Sequence, residues 1–215
     1  CYSLKHIKQV GIEGYKMEVD FTTLFDEWSA HYDATVFGED EQYREVFERY
    51  EEILDFVAER ASGTILEFGV GTGNLSVRLQ QFGQLLLGIE PSQEMRAIAE
   101  RKLPNLTIQD GHFLNYELSE RVDSIVSTYA FHHLTDEEKE RAIYKFARNL
   151  RPGGKVIFAD TMFVADEAFA KTIERAEQRG YDRLAADLKS EFYPTIPVLQ
   201  SLFEKGGFTT RFTQM

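Results

Sequence analysis

ILEFGVGTGNL, residues 65–75, is the stretch whose reading decides the fold. Three glycines, Gly69, Gly71 and Gly73, alternate with single residues. Ile65 and Leu66 lead in with Glu67 and Phe68, and behind the turn Leu75, Leu79 and Phe82 fall on one helical face. That order predicts strand, tight turn, helix. Glycines let the backbone come close to a ligand, because no Cβ intervenes and φ > 0 is allowed. The helix behind presents free N–H groups at its start. The stretch therefore reads as the nucleotide-facing turn of a doubly wound α/β sheet.

Working outward, the pattern repeats. Before the turn, Leu24, Phe25, Trp28 and Tyr32 share a helical face. Residues 41–61 read as one long helix with Tyr43, Val46, Phe47, Tyr50, Ile53, Leu54 and Val57 as its apolar stripe. After the turn, strands are expected at 85–89, 106–109, 123–128 and 155–160, the first of them an apolar run suited to a sheet covered on both faces. Ser92 is a candidate helix cap. Thr135 to Glu138 has the spacing of a capping box, ahead of an inward face of Ile143, Phe146, Ala147 and Leu150. Helices are expected at about 167–189 and 197–205, and Phe208 to Phe212 reads as a sixth strand. Alternating strands and helices predict a mostly parallel sheet.

The chain has 215 residues and a formal net charge of −12, with no run of lysine or arginine. One α/β domain is the expectation, over residues 17–215 with a helical cap at about 17–61. Nucleic acid is disfavoured as partner, since phosphate contacts need a basic face. A single cysteine, Cys1, excludes a disulfide framework or a zinc set built on thiolates and fits a reducing cytoplasm. No apolar run approaches the ~18–20 residues of a membrane span, so no membrane partner is expected. Residues 1–16 lack a starting Met and a continuous apolar core; the expectation is a non-native or disordered extension ahead of Met17.

In an open parallel sheet, ligands sit beyond the carboxyl ends of the strands at the switch point. The glycine turn lies there on strand one, Glu90 on strand two and Asp110 on strand three. Glu90 suits a ribose diol and Asp110 an adenine amino group. A phosphate-binding Walker loop would need Gly-Lys-Ser/Thr, where Asn74-Leu75 follows instead. Glu67 beside a pyrophosphate would repel it. A cationic ligand removes that conflict, and S-adenosylmethionine carries a sulfonium, an ammonium and an adenosine.

LEFGVGTG resembles the first motif of class I S-adenosylmethionine-dependent methyltransferases, GIEPS their second and IQDGHF their adenine-contacting segment. STYAFHHL and LRPGGKVIFAD resemble their fourth and fifth strands, and the whole is most similar to the bacterial YrrT methyltransferases. The resemblance implies a Rossmann-like fold and S-adenosyl-L-methionine as cofactor, with Gly69, Glu90 and Asp110 as contacts. Glu67, Gly71, Gly73, Asn74 and Ser127 are further candidate contacts. Tyr32 is similar to a tyrosine that often closes over the methionine end. This fold usually finishes with an antiparallel strand between strands five and six; only three residues follow Phe212, so that strand is expected to be missing.

Methyl transfer from a sulfonium needs alignment and exclusion of water, with a general base optional. After strand four, His132 and His133 are the candidate catalytic residues, with Asp160 a weaker one; two adjacent residues are expected to point apart. Tyr181, Phe192 and Tyr193 are candidate linings of the acceptor pocket. The Asn/Asp-Pro-Pro-Tyr motif of exocyclic-amine methylation is absent, and no metal site is expected. The reading is a methyltransferase acting on a small-molecule acceptor. The alternative is a non-catalytic module that binds S-adenosylmethionine or S-adenosylhomocysteine.

Overall fold

The computed structural model describes residues 32–215, with the backbone alone for 84–86. The extension at 1–16 and most of the predicted cap, with Leu24, Phe25 and Trp28, lie outside the described residues. The cap begins with α1 (Tyr32–Val36), α2 (Arg44–Phe47) and α3 (Tyr50–Arg60). The long helix expected at 41–61 is thus broken. Arg49 leaves helical geometry (φ −116°, ψ 28°), and the break lets Phe47 and Tyr50 both meet the ring of Tyr129, at 5.1 and 5.8 Å.

The alternation that follows is β1 (Thr64–Phe68), α4 (Asn74–Leu79), β2 (Gln84–Ile89), α5 (Gln93–Lys102), β3 (Ile108–Gln109) and β4 (Val122–Thr128). A 3-10 turn at Phe131–His133 leads to α6 (Asp136–Asn149), β5 (Leu150–Ala159), α7 (Asp166–Gln178), α8 (Asp182–Ser190) and α9 (Ile196–Lys205). The five strands are all parallel in the order β3-β2-β1-β4-β5. Chain order reverses between β1 and β4, so the switch point falls at the glycine turn.

Both caps read from sequence form. Ser92 accepts the Met95 N–H at 3.1 Å, and Thr135 and Glu138 close a reciprocal capping box. Other expectations need correction. Phe208 to Phe212 pairs with no strand; instead Phe208 sets its ring against Phe203 at 5.6 Å and Phe212 packs beside the same core. The helix expected at 167–189 is two, because Gly180 turns the chain with φ +70° between α7 and α8. Ala147 and Phe82 are exposed rather than inward.

The core has two halves, one on each face of the sheet. Leu54, Val57, Ile65, Leu75, Leu79 and Val126 fill the cap side. On the other, Phe146 lies wholly buried against the rings of Phe68, Phe113, Phe131 and Phe158 at 5.7–6.3 Å. Phe146→Ala is expected to cost about 3–5 kcal/mol, read as a lower urea midpoint, because five mutually packed rings cannot collapse into the void. At the amino edge of the sheet, Asp123 accepts the Thr64 N–H at 2.8 Å and Arg151 Nη1 at 2.8 Å, bracing β1, β4 and β5.

Candidate active site

The glycine turn is sewn to the end of β2. Gly69 N–H donates to Ile89 O at 2.9 Å, and Gly71 N–H donates to Glu90 Oε2 at 2.8 Å. Ser92 N–H donates to the other Glu90 oxygen at 2.9 Å. Glu90 is buried and holds the turn in shape; each carboxylate oxygen can accept more than one bond, so a diol can still be met. The turn glycines serve different ends. A Cβ on Gly69 would lie 2.8 Å from Ala130 Cβ, so Gly69 permits close packing onto the chain after β4. Gly71 has φ +56° and open space where its Cβ would point.

Glu67 is fully buried beneath this turn. Ser76 Oγ donates to its Oε2 at 2.5 Å, while Oε1 has no partner among the described residues. Burial, with Glu90 nearby acting in the same sense against the Ser76 hydrogen bond, pushes its pKa up to about 8. An orphaned carboxyl oxygen beside an open glycine cradle fits a cationic ligand. An ammonium would supply the missing donor and the missing charge.

Ser127 lies buried at the end of β4, its hydroxyl donating to Phe68 O at 2.9 Å. Asn74 Nδ2 donates to Asp33 Oδ1 at 3.0 Å and to Tyr50 Oη at 3.2 Å, and its Oδ1 accepts from Lys102 at 3.0 Å. Asn74 therefore ties the turn to the cap. Asp33 also accepts Thr72 Oγ1 at 2.6 Å and Lys102 Nζ at 3.0 Å. No residue pattern announces this latch beyond an acid next to Tyr32. Asp110 sits at the rim, its side chain 76% exposed and paired to Arg96 at 3.0 Å. Burial, then Tyr50, Tyr129 and Glu90, push the Tyr32 phenol well above its ordinary pKa. Tyr32 thus lies within electrostatic reach of Glu90 and of the chain after β4.

The wall after β4 is built on the 3-10 turn. His132 Nδ1 lies 2.5 Å from Asp160 Oδ1, and the His132 N–H donates to Asp160 Oδ2 at 2.9 Å. Asp160, at the end of β5, also accepts the Thr161 N–H at 2.8 Å. Burial opposes both charges, but each partner outweighs it: the His132 pKa is raised and the Asp160 pKa lowered. His133 pairs with Glu191 at 2.8 Å; burial, then the charge of His132, lower its pKa. The two rings lie 4.2 Å apart rather than on opposite faces, each turned by its own carboxylate, Asp160 for His132 and Glu191 for His133. Tyr193 stacks on His132 at 4.7 Å, whereas Phe192 is exposed and Tyr181 packs within the α7–α8 hairpin. One ligand atom each from His132, His133 and Glu191 would fall within 4.8 Å, but both Nδ1 atoms already face carboxylates.

Two features had no sequence signal. Lys139 is wholly buried, its ammonium donating to Leu134 O and, at 2.7 Å, to Phe192 O, so the loop carrying Glu191 and Tyr193 is fixed beside the histidines. Tyr129 has φ +53°, the one positive φ outside glycine among the described residues, and its buried hydroxyl has no partner among them.

A glycine turn above an orphaned carboxyl oxygen and a histidine–carboxylate pair thus lie at neighbouring strand ends of a doubly wound sheet. A model described as a methyltransferase domain matches residues 65–154. An uncharacterized methyltransferase of Bacillus cytotoxicus is 56% identical over 93% of this chain and 94% of that one. One of Bacillus mycoides is 52% identical over the same shares. The solved DhpI-SAM-HEP complex has the same fold, with TM-score 0.63 and 19% identity over 86% of each chain. The chain belongs to the methyltransferase family. No helix among the described residues is long and apolar enough to cross a membrane.

Proposed function

We propose that the protein methylates a small-molecule acceptor with S-adenosylmethionine as its methyl donor, Glu67 receiving that cofactor's ammonium and Glu90 its ribose diol. The observation that carries this reading is the unpartnered Glu67 oxygen beside the open cradle at Gly71. Gly69, Gly73, Ser127 and Asn74 shape the turn, Tyr32 closes over it, and Asp110 contacts the adenine from the rim. Bound S-adenosylmethionine supplies an electrophilic methyl group. His132, held through Nδ1 by Asp160, takes the acceptor's proton at Nε2, and His133 with Glu191 completes that wall of the pocket.

A small acceptor is favoured over a polymer because the carboxyl edge is roofed. The segment after α1 meets the α7–α8 hairpin through Asp40 with Arg183 at 2.7 Å, Glu45 with Arg179, and Tyr43 with Asp187. The charge of −12 gives a phosphate backbone no welcome.

Calorimetry tests the cofactor half. Glu90→Ala is expected to weaken S-adenosylmethionine binding at least tenfold, about 1.4 kcal/mol, through two lost hydrogen bonds and a loosened turn. Equal affinity in both proteins would refute the ribose assignment. A screen of small acceptors for S-adenosylhomocysteine release tests the other half.

A further inference from the structure

We propose that the Tyr129 hydroxyl contacts the transferable methyl group of the bound cofactor, accepting a C–H···O hydrogen bond that aims the methyl at the acceptor. This rests on the cofactor reading above and adds a catalytic residue to it.

Two independent costs meet at this position. A tyrosine at φ +53° is strained, and a buried hydroxyl without a partner is a lost hydrogen bond. Packing alone does not account for both. Phenylalanine would keep the ring contacts with Phe47 and Tyr50 and shed the orphaned oxygen. Glycine would relieve the backbone. The strain is held in place because the Tyr129 N–H is tied to Ala159 O at 2.9 Å, and Ala130 abuts the turn at Gly69. A tyrosine kept at that double cost points to a partner that arrives with a ligand.

Position says which part of the ligand. Tyr129 follows β4 immediately, between the glycine turn on one side and the His132–Asp160 pair on the other. Tyr32, Tyr50 and Asp160 act on its neighbourhood electrostatically. That is the seam between methyl donor and methyl acceptor. A sulfonium polarises the C–H bonds of its methyl group, so an oxygen lone pair there is attracted to it. Burial, then Tyr50 and Asp160, hold the Tyr129 phenol far above its ordinary pKa. The oxygen therefore stays protonated. It can steer the methyl without the nucleophilicity of a phenolate, which would itself take the methyl group.

The experiment compares S-adenosylmethionine with S-adenosylhomocysteine, which lacks the methyl group and the charge. Both are titrated into wild type and Tyr129→Phe, with 13C-methyl cofactor followed by NMR and the thermal midpoint recorded without ligand. The variant is expected to bind S-adenosylmethionine roughly two- to fivefold more weakly. Its affinity for S-adenosylhomocysteine is expected to stay unchanged. The methyl proton resonance, shifted downfield in the wild-type complex, is expected to move back upfield in the variant. The ligand-free midpoint is expected not to fall, since the removed oxygen has no partner to lose. An unchanged affinity ratio with an unchanged methyl resonance overturns the proposal. So does a lowered midpoint with both affinities reduced alike, the mark of a structural role. Failure of wild type to bind either compound would overturn the underlying cofactor reading instead.

Discussion

Glu67→Gln is expected to lose roughly ten- to a hundredfold in affinity for S-adenosylmethionine and yet to be more stable than wild type above pH 8 when no ligand is bound. The first effect follows from the role proposed for Glu67, whose charge would answer the cofactor's ammonium through a hydrogen bond worth about 1.5–3 kcal/mol. The second follows from burial, which lifts the Glu67 pKa from 4.5 to about 8. The folded state then holds this proton more tightly than the unfolded chain does. Its contribution is whole below pH 4.5 and is lost as pH climbs through 8. Across that interval the loss is on the order of 4–5 kcal/mol, and glutamine has no proton to lose. Below pH 8 a cationic ligand must displace the proton, so wild type is expected to release close to one proton per cofactor bound at pH 7. Calorimetry in buffers of different ionisation enthalpy measures that release. A buffer-independent heat, with glutamine binding as tightly as glutamate, would remove Glu67 from the site.

The second large effect lies at the pair of His132 and Asp160. Asp160→Ala is expected to cost about 3–5 kcal/mol, because it strips the partner from a buried imidazole and leaves the backbone N–H groups of His132 and Thr161 unmet. The cost depends on pH in a defined way. Asp160 has a lowered pKa, so its contribution is present above the unfolded value of 3.8 and is lost as pH falls through the folded one. His132 has a raised pKa, so its share is present below 6.5 and is lost as pH rises through the folded value. The gap between wild type and variant is therefore expected to be widest between pH 3.8 and 6.5. Urea titrations across pH measure it, and a gap that does not vary with pH would mean the pair is not ionic. Once an acceptor is found, the same variant is expected to turn over about a hundredfold more slowly, as general bases are worth. Its affinity for S-adenosylhomocysteine should hold.

The parts legible in the sequence are those with a local signature. β1, β2 and β4 match the expected runs to within a residue or two, since each carries a short apolar stretch (Ile65-Leu66, Leu85 to Leu87 and Ile125-Val126) of strand length. Glu90 and Asp110 follow β2 and β3 as the strand ends require. β3 itself is shorter than expected, because only Gly88 and Ile89 of β2 offer it pairing. The rest depended on distant residues. Asp160 finds His132 across 28 positions, and Glu191 finds His133 across 58. Asp33 reaches Thr72 across 39. Nothing in a side-chain pattern announces the φ of Tyr129 or the break at Arg49, which arise from what the neighbouring elements demand. Asn74 shows the limit from the other direction. Its place after the third glycine invites a ligand contact, and its amide is instead engaged with Asp33, Tyr50 and Lys102.

The brace of Asp123, Thr64 and Arg151 sits at the end of the sheet opposite all of this chemistry. Folding and selectivity are thereby entrusted to different ends of the same strands. A designer could graft new loops onto the reactive rim, to retarget the enzyme to another nucleophile, while the anchorage underneath goes untouched.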